Sequence, residues 1–220
     1  MFNDFEVTMK NNKIDLKNLR INYSLNKINY KDLSENPFNQ FKIWLKDAMN
    51  NKIRDCNAMV LSTFDSINGV TSRVVLLKEI KENKFIFFTN YNSLKAKQIK
   101  NNNIVSLCFY WNDLERQIRI RGIANKLPND ESILYFNTRP EESKIAAIIS
   151  NQSSYINIDE KLEDKLLEFN KNKISKPDHW GGYAIEPHYF EFWQGRENRL
   201  HDRFEYDKKG LCWKIKRLSP

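Results

Sequence analysis

The hydrophobic positions of the chain follow a helical period first and strand-like runs afterwards. Apolar or aromatic side chains recur every three to four positions at Phe38, Phe41, Trp44, Leu45 and Ala48. This spacing places them on one face of a helix, and Pro37 suits a first helical turn, where its missing N–H costs little. The pattern therefore predicts an amphipathic helix that begins near Pro37.

The sequence between residues 58 and 127 consists of β-branched and aromatic runs separated by turn residues, which is typical of strands. These runs are Ala58–Phe64, Thr71–Ile80, Lys84–Thr89, Ile104–Trp111 and Glu115–Leu127. A short helix is predicted over Ser93–Asn101, because Asn92 and Ser93 are favourable residues for its N-terminal cap.

The second half of the chain predicts helices followed by further strands. The helical segments cover about 130–138, 141–150 and 159–172, and the strands are Gly182–Trp193, Arg199–Tyr206 and Leu211–Leu218. Because strands and helices do not alternate, the pattern favours a mainly β fold, an antiparallel barrel with peripheral helices, over a doubly wound fold. Residues 1–35 are polar and are predicted to form a flexible arm, and residues 36–220 a single domain.

The charge of the chain changes this picture little. Lys and Arg number 36 and Asp and Glu 28, which gives a formal net charge of +8. Asn, Lys and Ile are in excess along the whole sequence, so much of the positive charge reflects a general compositional bias. The charge is therefore weak support for a nucleic-acid partner.

Several classes of protein do not fit the sequence. The longest apolar run, 145–149, is far shorter than the roughly 20 residues of a membrane helix, and the acidic start of the chain does not resemble a secretory signal. Three widely separated cysteines and three histidines show neither a disulfide framework nor metal-ligand spacing. We expect a cytoplasmic protein without a metal site, a nucleic-acid partner or a membrane partner.

The segment Arg199-Leu200-His201-Asp202-Arg203 is the first candidate site. On a strand, Arg199, His201 and Arg203 would share one face. Two guanidinium groups beside an imidazole repel each other unless an anion or carboxylates lie between them. The pattern indicates either an anion site with a proton-handling histidine or a solvated strand face, and the preceding Phe192-Trp193 favours the lined pocket.

A second candidate site joins Tyr135, Arg139 and Ser143 around Pro140. Tyr135 and Arg139 lie on one helix face, and Pro140 predicts that this helix ends and another begins. Ser143 would then lie in the first turn of the new helix, where free N–H groups attract anions. The arrangement is consistent with a phosphate clamp or, equally, with an ordinary helix corner.

Two further basic segments have simpler interpretations. Arg73 and Lys78 have opposite parity on an unbulged strand, so they would face opposite sides of a core strand with solvated ends. Lys95 and Lys97 open the short helix and are expected on its solvated face. The sequence lacks a Walker loop, a dinucleotide-binding glycine motif and a nucleophile elbow. Several anion sites without an evident nucleophile fit an enzyme whose cofactor supplies the chemistry.

Taken together and in this order, these segments resemble the pyridoxamine-5′-phosphate oxidase family of FMN enzymes. The resemblance covers about residue 19 to the C-terminus. It is carried by Arg73–Lys78, Phe88–Asn90, Ser93–Lys95, Leu114–Gln117, Tyr135–Pro140, Gln152–Ser154, Trp180–Gly182, Glu191–Gly195, Arg199–Arg203 and Trp213–Pro220.

The resemblance implies a split β-barrel homodimer that binds FMN at the subunit interface, and it implies a role for each matching position. The FMN phosphate would contact Arg73, Lys95 and Ser153. The rest of the flavin would contact Val74, Val75, Leu76, Leu77, Lys78, Phe88, Thr89, Gln117, Gln152, Trp193 and Arg203. The substrate would be bound by Lys78, Tyr135, Arg139, Ser143, Arg199, Leu200 and His201, with Arg20 and Tyr23 closing over the site as a lid. The implied catalytic residues are Arg199, His201, Tyr23 and Asp55.

The implied reaction converts pyridoxamine or pyridoxine 5′-phosphate to pyridoxal 5′-phosphate, with hydride transfer from C4′ to flavin N5 and reduction of O2 to H2O2. Three positions depart from the family pattern. Leu94 stands where a second basic residue is common, Arg196 replaces a glycine, and Asn198 replaces a residue that is often histidine. The alternatives are another split-barrel FMN reductase, an inactive member of the family, or a basic nucleic-acid-binding barrel.

Overall fold

The computed structural model describes residues 16, 17, 19, 21–170 and 173–220, and within them the chain forms nine strands and five α-helices. The strands are β1 (Ala58–Asp65), β2 (Gly69–Leu76), β3 (Glu79–Lys81), β4 (Lys84–Asn90), β5 (Ile104–Trp111), β6 (Arg116–Lys126), β7 (Trp180–Gln194), β8 (Asp202–Lys209) and β9 (Cys212–Leu218). The helices are α1 (Pro37–Asn50), α2 (Leu94–Asn101), α3 (Asn129–Thr138), α4 (Glu141–Ile149) and α5 (Leu162–Glu168).

All strand pairs are antiparallel, and the strands run in the order β2-β1-β5-β6-β7-β4-β3. The long strand β7 pairs with β6 along one edge. Its other edge is shared, because the first half pairs with β4 and the second half with β8. The mainly β prediction is thus confirmed, and β7 connects the two parts of the sheet.

The partner change along β7 has a local cause. Pro187 has no N–H to donate and lies between the segments that pair with β4 and with β8. The register between β6 and β7 shifts at the same level, between Arg121 and Gly122. A Cβ on Gly122 would lie 2.5 Å from the carbonyl oxygen of Glu186, so this bulge requires a glycine.

Helix α1 closes the core of the sheet, as its hydrophobic pattern predicts. The Asn36 side chain accepts the backbone N–H of Phe38 at 2.8 Å and so caps the helix. Phe41 is fully buried and makes edge-to-face contacts with Phe85 and Phe109, at centroid distances of 4.9 and 5.0 Å. This aromatic core provides a rigid support for the strands that carry the site.

The prediction of one continuous strand over Thr71–Ile80 is wrong, because the structure divides this segment between β2 and β3. The Leu77 N–H donates to Asn57 O beside β1, whereas the Lys78 N–H donates to Ile86 O of β4. The chain therefore changes partner between these two residues, and the strand is interrupted. The parity argument that separated Arg73 from Lys78 does not apply.

The strand predicted to begin at Arg199 begins at Asp202 instead. Asn198 and Arg199 have φ angles of 54° and 61°, in the left-handed region that a strand does not use. Arg199 therefore lies in a short turn, and it does not share a strand face with His201 and Arg203.

The helix predicted over 159–172 is shorter in the structure, where α5 covers Leu162–Glu168. In the described part of the chain, no helix is both long and apolar enough to cross a membrane.

Candidate active site

A cavity of about 1040 Å³ lies beside β2, β4, the start of α2 and the segment that follows α4. It brings together half of the residues that the resemblance assigned to cofactor or substrate. These are Arg73, Val74, Val75, Leu76, Lys78, Phe88, Thr89, Lys95, Arg139, Gln152 and Ser153.

The guanidinium group of Arg73 is held in one orientation by its neighbours on β1 and β2. It donates to the Leu61 carbonyl at 3.0 Å, to the Thr63 hydroxyl at 2.7 Å and to the Thr71 hydroxyl. Both hydroxyl groups donate in turn to Oε1 of Gln98, which is completely buried. Gln98 was not identified from the sequence, and it fixes the acceptors that orient Arg73.

Lys95 lies inside the cavity wall, so its assignment to a solvated helix face is wrong. Its side chain is 9% exposed, and Nζ donates to the Thr89 and Ser93 hydroxyls at 3.2 Å and to Gln152 Oε1 at 3.0 Å. Burial, together with the nearby Arg73, lowers the pKa of Lys95 to about 8.

The charges of Arg73 and Lys95 are not neutralised by the described protein groups. Only burial lowers the pKa of Arg73, and no carboxylate raises the pKa of Lys95. A half-buried guanidinium group beside a buried ammonium group is unfavourable unless an anion binds between them. This position therefore suits a phosphate group, as Arg and Lys donors provide charge-assisted hydrogen bonds to its oxygens.

A second cationic position is formed by Arg139 on an aromatic stack. Tyr135 stacks on Phe88 at a centroid distance of 3.9 Å, and Phe88 stacks on Trp180 at 5.4 Å. The Arg139 guanidinium carbon lies 4.7 Å from the Trp180 ring centroid. Its Nη1 is buried and has no hydrogen-bond partner among the described residues. This donor is available to a bound anion.

The helix corner at Pro140 is confirmed. Helix α3 ends at Thr138, Arg139 has extended backbone angles as expected before proline, and α4 begins at Glu141. Ser143 lies in the first turn of α4 as predicted, but it is not part of the cavity wall.

Several residues predicted to contact the flavin or the substrate ring form a separate cluster at the other end of β7. The Trp193 ring centroid lies 5.7 Å from that of Tyr23 and 4.7 Å from that of His201, and the Tyr23 and His201 centroids are 5.8 Å apart. Gln117 and Arg203 pair with Trp193 across the sheet on either side. Arg203 is held by the buried carboxylate of Glu191, at 2.9 Å.

His201 has a defined hydrogen bond on one ring nitrogen. The backbone N–H of Arg196 donates to Nδ1 at 3.1 Å, so Nδ1 is unprotonated and the neutral ring carries its proton on Nε2. Burial, with Arg199 and Arg203 nearby, lowers the pKa of His201. The ring is therefore favoured as a neutral hydrogen-bond donor through Nε2 near pH 7.

Within one chain, the cavity and the ring cluster adjoin opposite ends of β7. Trp180 of the cavity wall and Trp193 of the cluster are 13 residues apart on β7. An extended strand of that length spans up to about 40 Å. The residues predicted for one site therefore fall into two groups within one subunit.

The other predicted residues lie outside both groups or outside the described residues. Leu77 is in the hydrophobic core, whereas Asp55 is on an exposed turn, 3.6 Å from Arg54 in an ion pair. Leu200 is exposed beside the turn of Arg199. Arg20 lies outside the described residues. Trp180 was noted as part of a motif, but its contact with Arg139 only appears once the two segments fold together.

The fold and the two cationic positions define a class of protein, the split-barrel flavoproteins. A solved structure from Nostoc punctiforme, described as a pyridoxamine 5′-phosphate oxidase-related, FMN-binding protein, has the same fold. It covers 86% of this chain and 100% of its own with a TM-score of 0.71, at 15% identity.

More specific matches come from sequence. Residues 45–169 match the profile of pyridoxamine 5′-phosphate oxidase, and residues 180–220 match that of the pyridoxine 5′-phosphate oxidase C-terminal dimerisation region. A pyridoxine/pyridoxamine 5′-phosphate oxidase of Rippkaea orientalis is 47% identical over 212 residues, which is 94% of this chain and all of that protein. The structure of PhzG from Burkholderia lata, solved with tetrahydrophenazine-1-carboxylic acid, covers 87% of this chain and 96% of its own at 29% identity, with a TM-score of 0.80.

The chain belongs to the pyridoxine/pyridoxamine 5′-phosphate oxidase family, a family of oxidoreductases. The cofactor of this family is FMN. The resemblance noted in the sequence is thereby confirmed, and the basic nucleic-acid-binding barrel has no support.

Proposed function

We propose that this protein is an FMN-dependent oxidase that converts pyridoxine or pyridoxamine 5′-phosphate to pyridoxal 5′-phosphate. The observation that carries the proposal is the presence of two separate cationic positions in one cavity. Arg73 and Lys95 form the first, and Arg139 forms the second. A phosphorylated cofactor and a phosphorylated substrate would occupy one position each.

Arg73, Lys95 and Ser153 would hold the FMN phosphate. The fit rests on the half-buried Arg73 and the buried Lys95, neither of which has its pKa raised by a carboxylate of the described residues. Ser153 has a left-handed backbone, with φ of 70°, in the segment that follows α4. Leu94 also lines the cavity. It supplies no charge, so the phosphate would rely on Arg73 and Lys95.

Arg139 would bind the substrate phosphate. Its buried, unpartnered Nη1 supports this role, since an unsatisfied buried donor is costly until an acceptor arrives. The cation–π contact with Trp180 positions the guanidinium group without using any of its hydrogen-bond donors. Tyr135 and Lys78 would complete the clamp, and Ser143 would join it from the first turn of α4.

The complete site would require two copies of the chain. The cavity of one subunit would face the ring cluster of the other, so that Gln117, Trp193 and Arg203 reach the flavin and Arg199 and His201 reach the substrate ring. The large separation along β7 supports this arrangement, and so does the match of residues 180–220 to a dimerisation region. We therefore propose a homodimer with two equivalent sites.

The residues of this chain would bind and position the substrate. Arg73, Lys95 and Ser153 would hold FMN, which would supply the acceptor for the hydride from C4′, with O2 as the final oxidant and H2O2 as its product. The phosphate clamp would orient C4′ of the substrate, and such orientation lowers a barrier by up to about 7–11 kcal/mol in favourable cases. Neutral His201 would donate a hydrogen bond through Nε2, and Arg199 would pack on the pyridine ring.

Anaerobic addition of pyridoxine 5′-phosphate to the FMN-loaded protein tests the proposed function. We expect the flavin absorbance near 450 nm to bleach in a single turnover, and readmission of air to restore it with formation of H2O2. A protein that keeps its absorbance with both pyridoxine and pyridoxamine 5′-phosphate, but bleaches with a nicotinamide nucleotide, would instead be a split-barrel reductase.

The FMN affinity should depend on pH through Lys95. Its pKa in the free protein is about 8, and a bound phosphate stabilises the protonated amine. Binding therefore takes up a proton above pH 8, and we expect the Kd for FMN to rise by up to about tenfold per pH unit from pH 8 to 9, but little from pH 6 to 7. Fluorescence titration measures this dependence.

Two controls accompany the pH measurement. Riboflavin lacks the phosphate, so its Kd should change little over the same range. Lys95→Met should bind FMN more weakly at pH 7 and lose the extra slope above pH 8. A slope that persists in Lys95→Met would assign the titration to another group.

Arg139→Ala should raise the KM for pyridoxine 5′-phosphate by about 10- to 100-fold, because a charge-assisted contact is worth about 1.5–3 kcal/mol. The kcat should change much less. Unphosphorylated pyridoxine is the matched control, since its kcat/KM should be almost insensitive to the substitution. Equal losses for both substrates would show that Arg139 does not bind the phosphate.

A further inference from the structure

Residues 24 and 25 of the N-terminal arm are attached to the barrel through backbone hydrogen bonds to a buried carboxylate. Glu115, between β5 and β6, is 7% exposed. Its Oε1 accepts the N–H of Ser24 at 3.2 Å, and its Oε2 accepts the N–H of Leu25 at 3.0 Å. The pairs are 91 and 90 residues apart in sequence, so these contacts are purely tertiary.

A second buried carboxylate holds the arm three residues further on. Asp202 is 3% exposed, and its Oδ2 accepts the N–H of Ile28 at 3.1 Å. The same carboxylate pairs with Arg196 at 2.9 Å and with Arg217 at 3.0 Å. Asp202 is therefore fixed before the arm binds, and Arg196, which replaces a glycine of the family pattern, is one of its supports.

Glu115 differs from Asp202 in having no cation among its described partners. Among the described residues, its two carboxylate oxygens accept hydrogen bonds only from the backbone N–H groups of Ser24 and Leu25. A buried carboxylate without hydrogen-bond donors is strongly disfavoured. The docked arm and the buried state of Glu115 thus depend on each other.

The docked arm places Tyr23 within the ring cluster. Tyr23 immediately precedes the two residues that Glu115 binds, and its ring meets both Trp193 and His201 edge-on. It also packs on Gly195, where a Cβ would lie 2.8 Å from Cγ of Tyr23. The Gly195 N–H donates to the carbonyl of Glu115 at 2.7 Å. Glu115 therefore holds both the arm and the surface on which Tyr23 rests.

We propose that Glu115 and Asp202 are positioning residues that hold the arm so that Tyr23 lies against Trp193 and His201 before substrate binds. They act through the backbone of residues 24–28 and do not themselves touch the substrate. The kinetic part of this inference rests on the proposed function. The arm contacts themselves do not depend on it.

Two measurements on FMN-loaded protein test the proposal from the barrel side. Lys27 is exposed between the held residues, so tryptic cleavage after it, followed by mass spectrometry, reports release of the arm. Glu115→Ala should accelerate this cleavage about tenfold or more. It should also raise the KM for pyridoxine 5′-phosphate about tenfold, with kcat changed less than about threefold.

Conservative and matched variants separate positioning from general destabilisation. Glu115→Gln keeps the shape and one acceptor oxygen, so both effects should be intermediate. Asp113→Asn removes an exposed acid from the same connection and should behave as the unmodified protein in both assays. Asp202 is tested less cleanly, because its loss would also free Arg196 and Arg217.

The arm side provides a test that does not alter the barrel. Leu25→Pro removes the N–H that Glu115 accepts, whereas Leu25→Ala keeps the N–H and removes only an exposed side chain. We expect accelerated cleavage and a raised KM for Leu25→Pro and neither for Leu25→Ala. This pair decides the question if Glu115→Ala does not fold.

The outcomes distinguish this inference from the proposed function. Cleavage at the unmodified rate in both Glu115→Ala and Leu25→Pro would overturn the inference. Faster cleavage with unchanged KM and kcat would show that the attachment of the arm does not position Tyr23 for the substrate. If the unmodified protein does not oxidise pyridoxine 5′-phosphate at all, the proposed function fails, while faster cleavage in the variants still supports the attachment of the arm.

Discussion

Replacement of Arg199 by leucine should lower kcat by at least about 100-fold and leave FMN bound. Arg199 is not part of the cavity that contains Arg73 and Lys95, so the cofactor phosphate keeps its contacts. The proposed role of the guanidinium group is to pack on the substrate ring, and misorientation of a reacting carbon by about 1 Å costs about 100-fold in rate. Steady-state oxygen consumption and the flavin absorbance of the purified variant measure the two quantities.

Arg199→Lys is the matched variant for this prediction. Lysine keeps the charge but loses the planar group that stacks on a ring, so most of the loss in kcat should remain. If Arg199→Lys were fully active and Arg199→Leu inactive, the role of Arg199 would be electrostatic. Normal turnover of Arg199→Leu would remove this residue from the site.

The elements that local sequence determines were predicted well. The spacing of Phe38, Phe41 and Trp44 predicts α1, and these side chains are buried as expected. Pro140 predicts the corner between α3 and α4, because proline acts on the residue directly before it. The strand predicted over Glu115–Leu127 corresponds to β6, in which the exposed Arg119 and Arg121 alternate with the buried Ile118 and Ile120.

The errors arose where tertiary contacts override the local pattern. Lys95 looks like a solvated helix residue, yet its helix packs on β1 and the amine is enclosed by groups from β4 and from the segment after α4. The left-handed turn at Asn198 and Arg199 has no proline or glycine to indicate it. Neither feature could be derived from spacing along one element.

The site also depends on contacts between segments that are distant in sequence. Trp180 and Arg139 belong to different elements, and their stacking becomes evident only in the fold. Gln98 orients Arg73 through the hydroxyls of Thr63 and Thr71, a network that no motif in the chain indicates. Resemblance to a family assigns a ligand contact to Arg73 but does not indicate Gln98, which holds the acceptors of Arg73 in place.

The strongest test of a site shared between two subunits is complementation of two damaged chains. Arg139→Ala impairs the cavity at one end of β7, and Arg199→Leu impairs the turn at the other end. In a mixed dimer of these two variants, one site carries both substitutions and the other carries neither. With equal coexpression and random pairing, about half of the dimers are mixed, so about a quarter of all sites are intact.

We therefore expect the coexpressed variants to recover about 25% of the unmodified activity at substrate concentrations well below KM, where each variant alone retains about 10% or less. Two different affinity tags allow the mixed dimer to be purified, and its activity should approach one half. The reason is geometric, because each chain supplies opposite ends of β7 to different sites. If both halves acted within one chain, every site in the mixture would carry one substitution, and no activity would return.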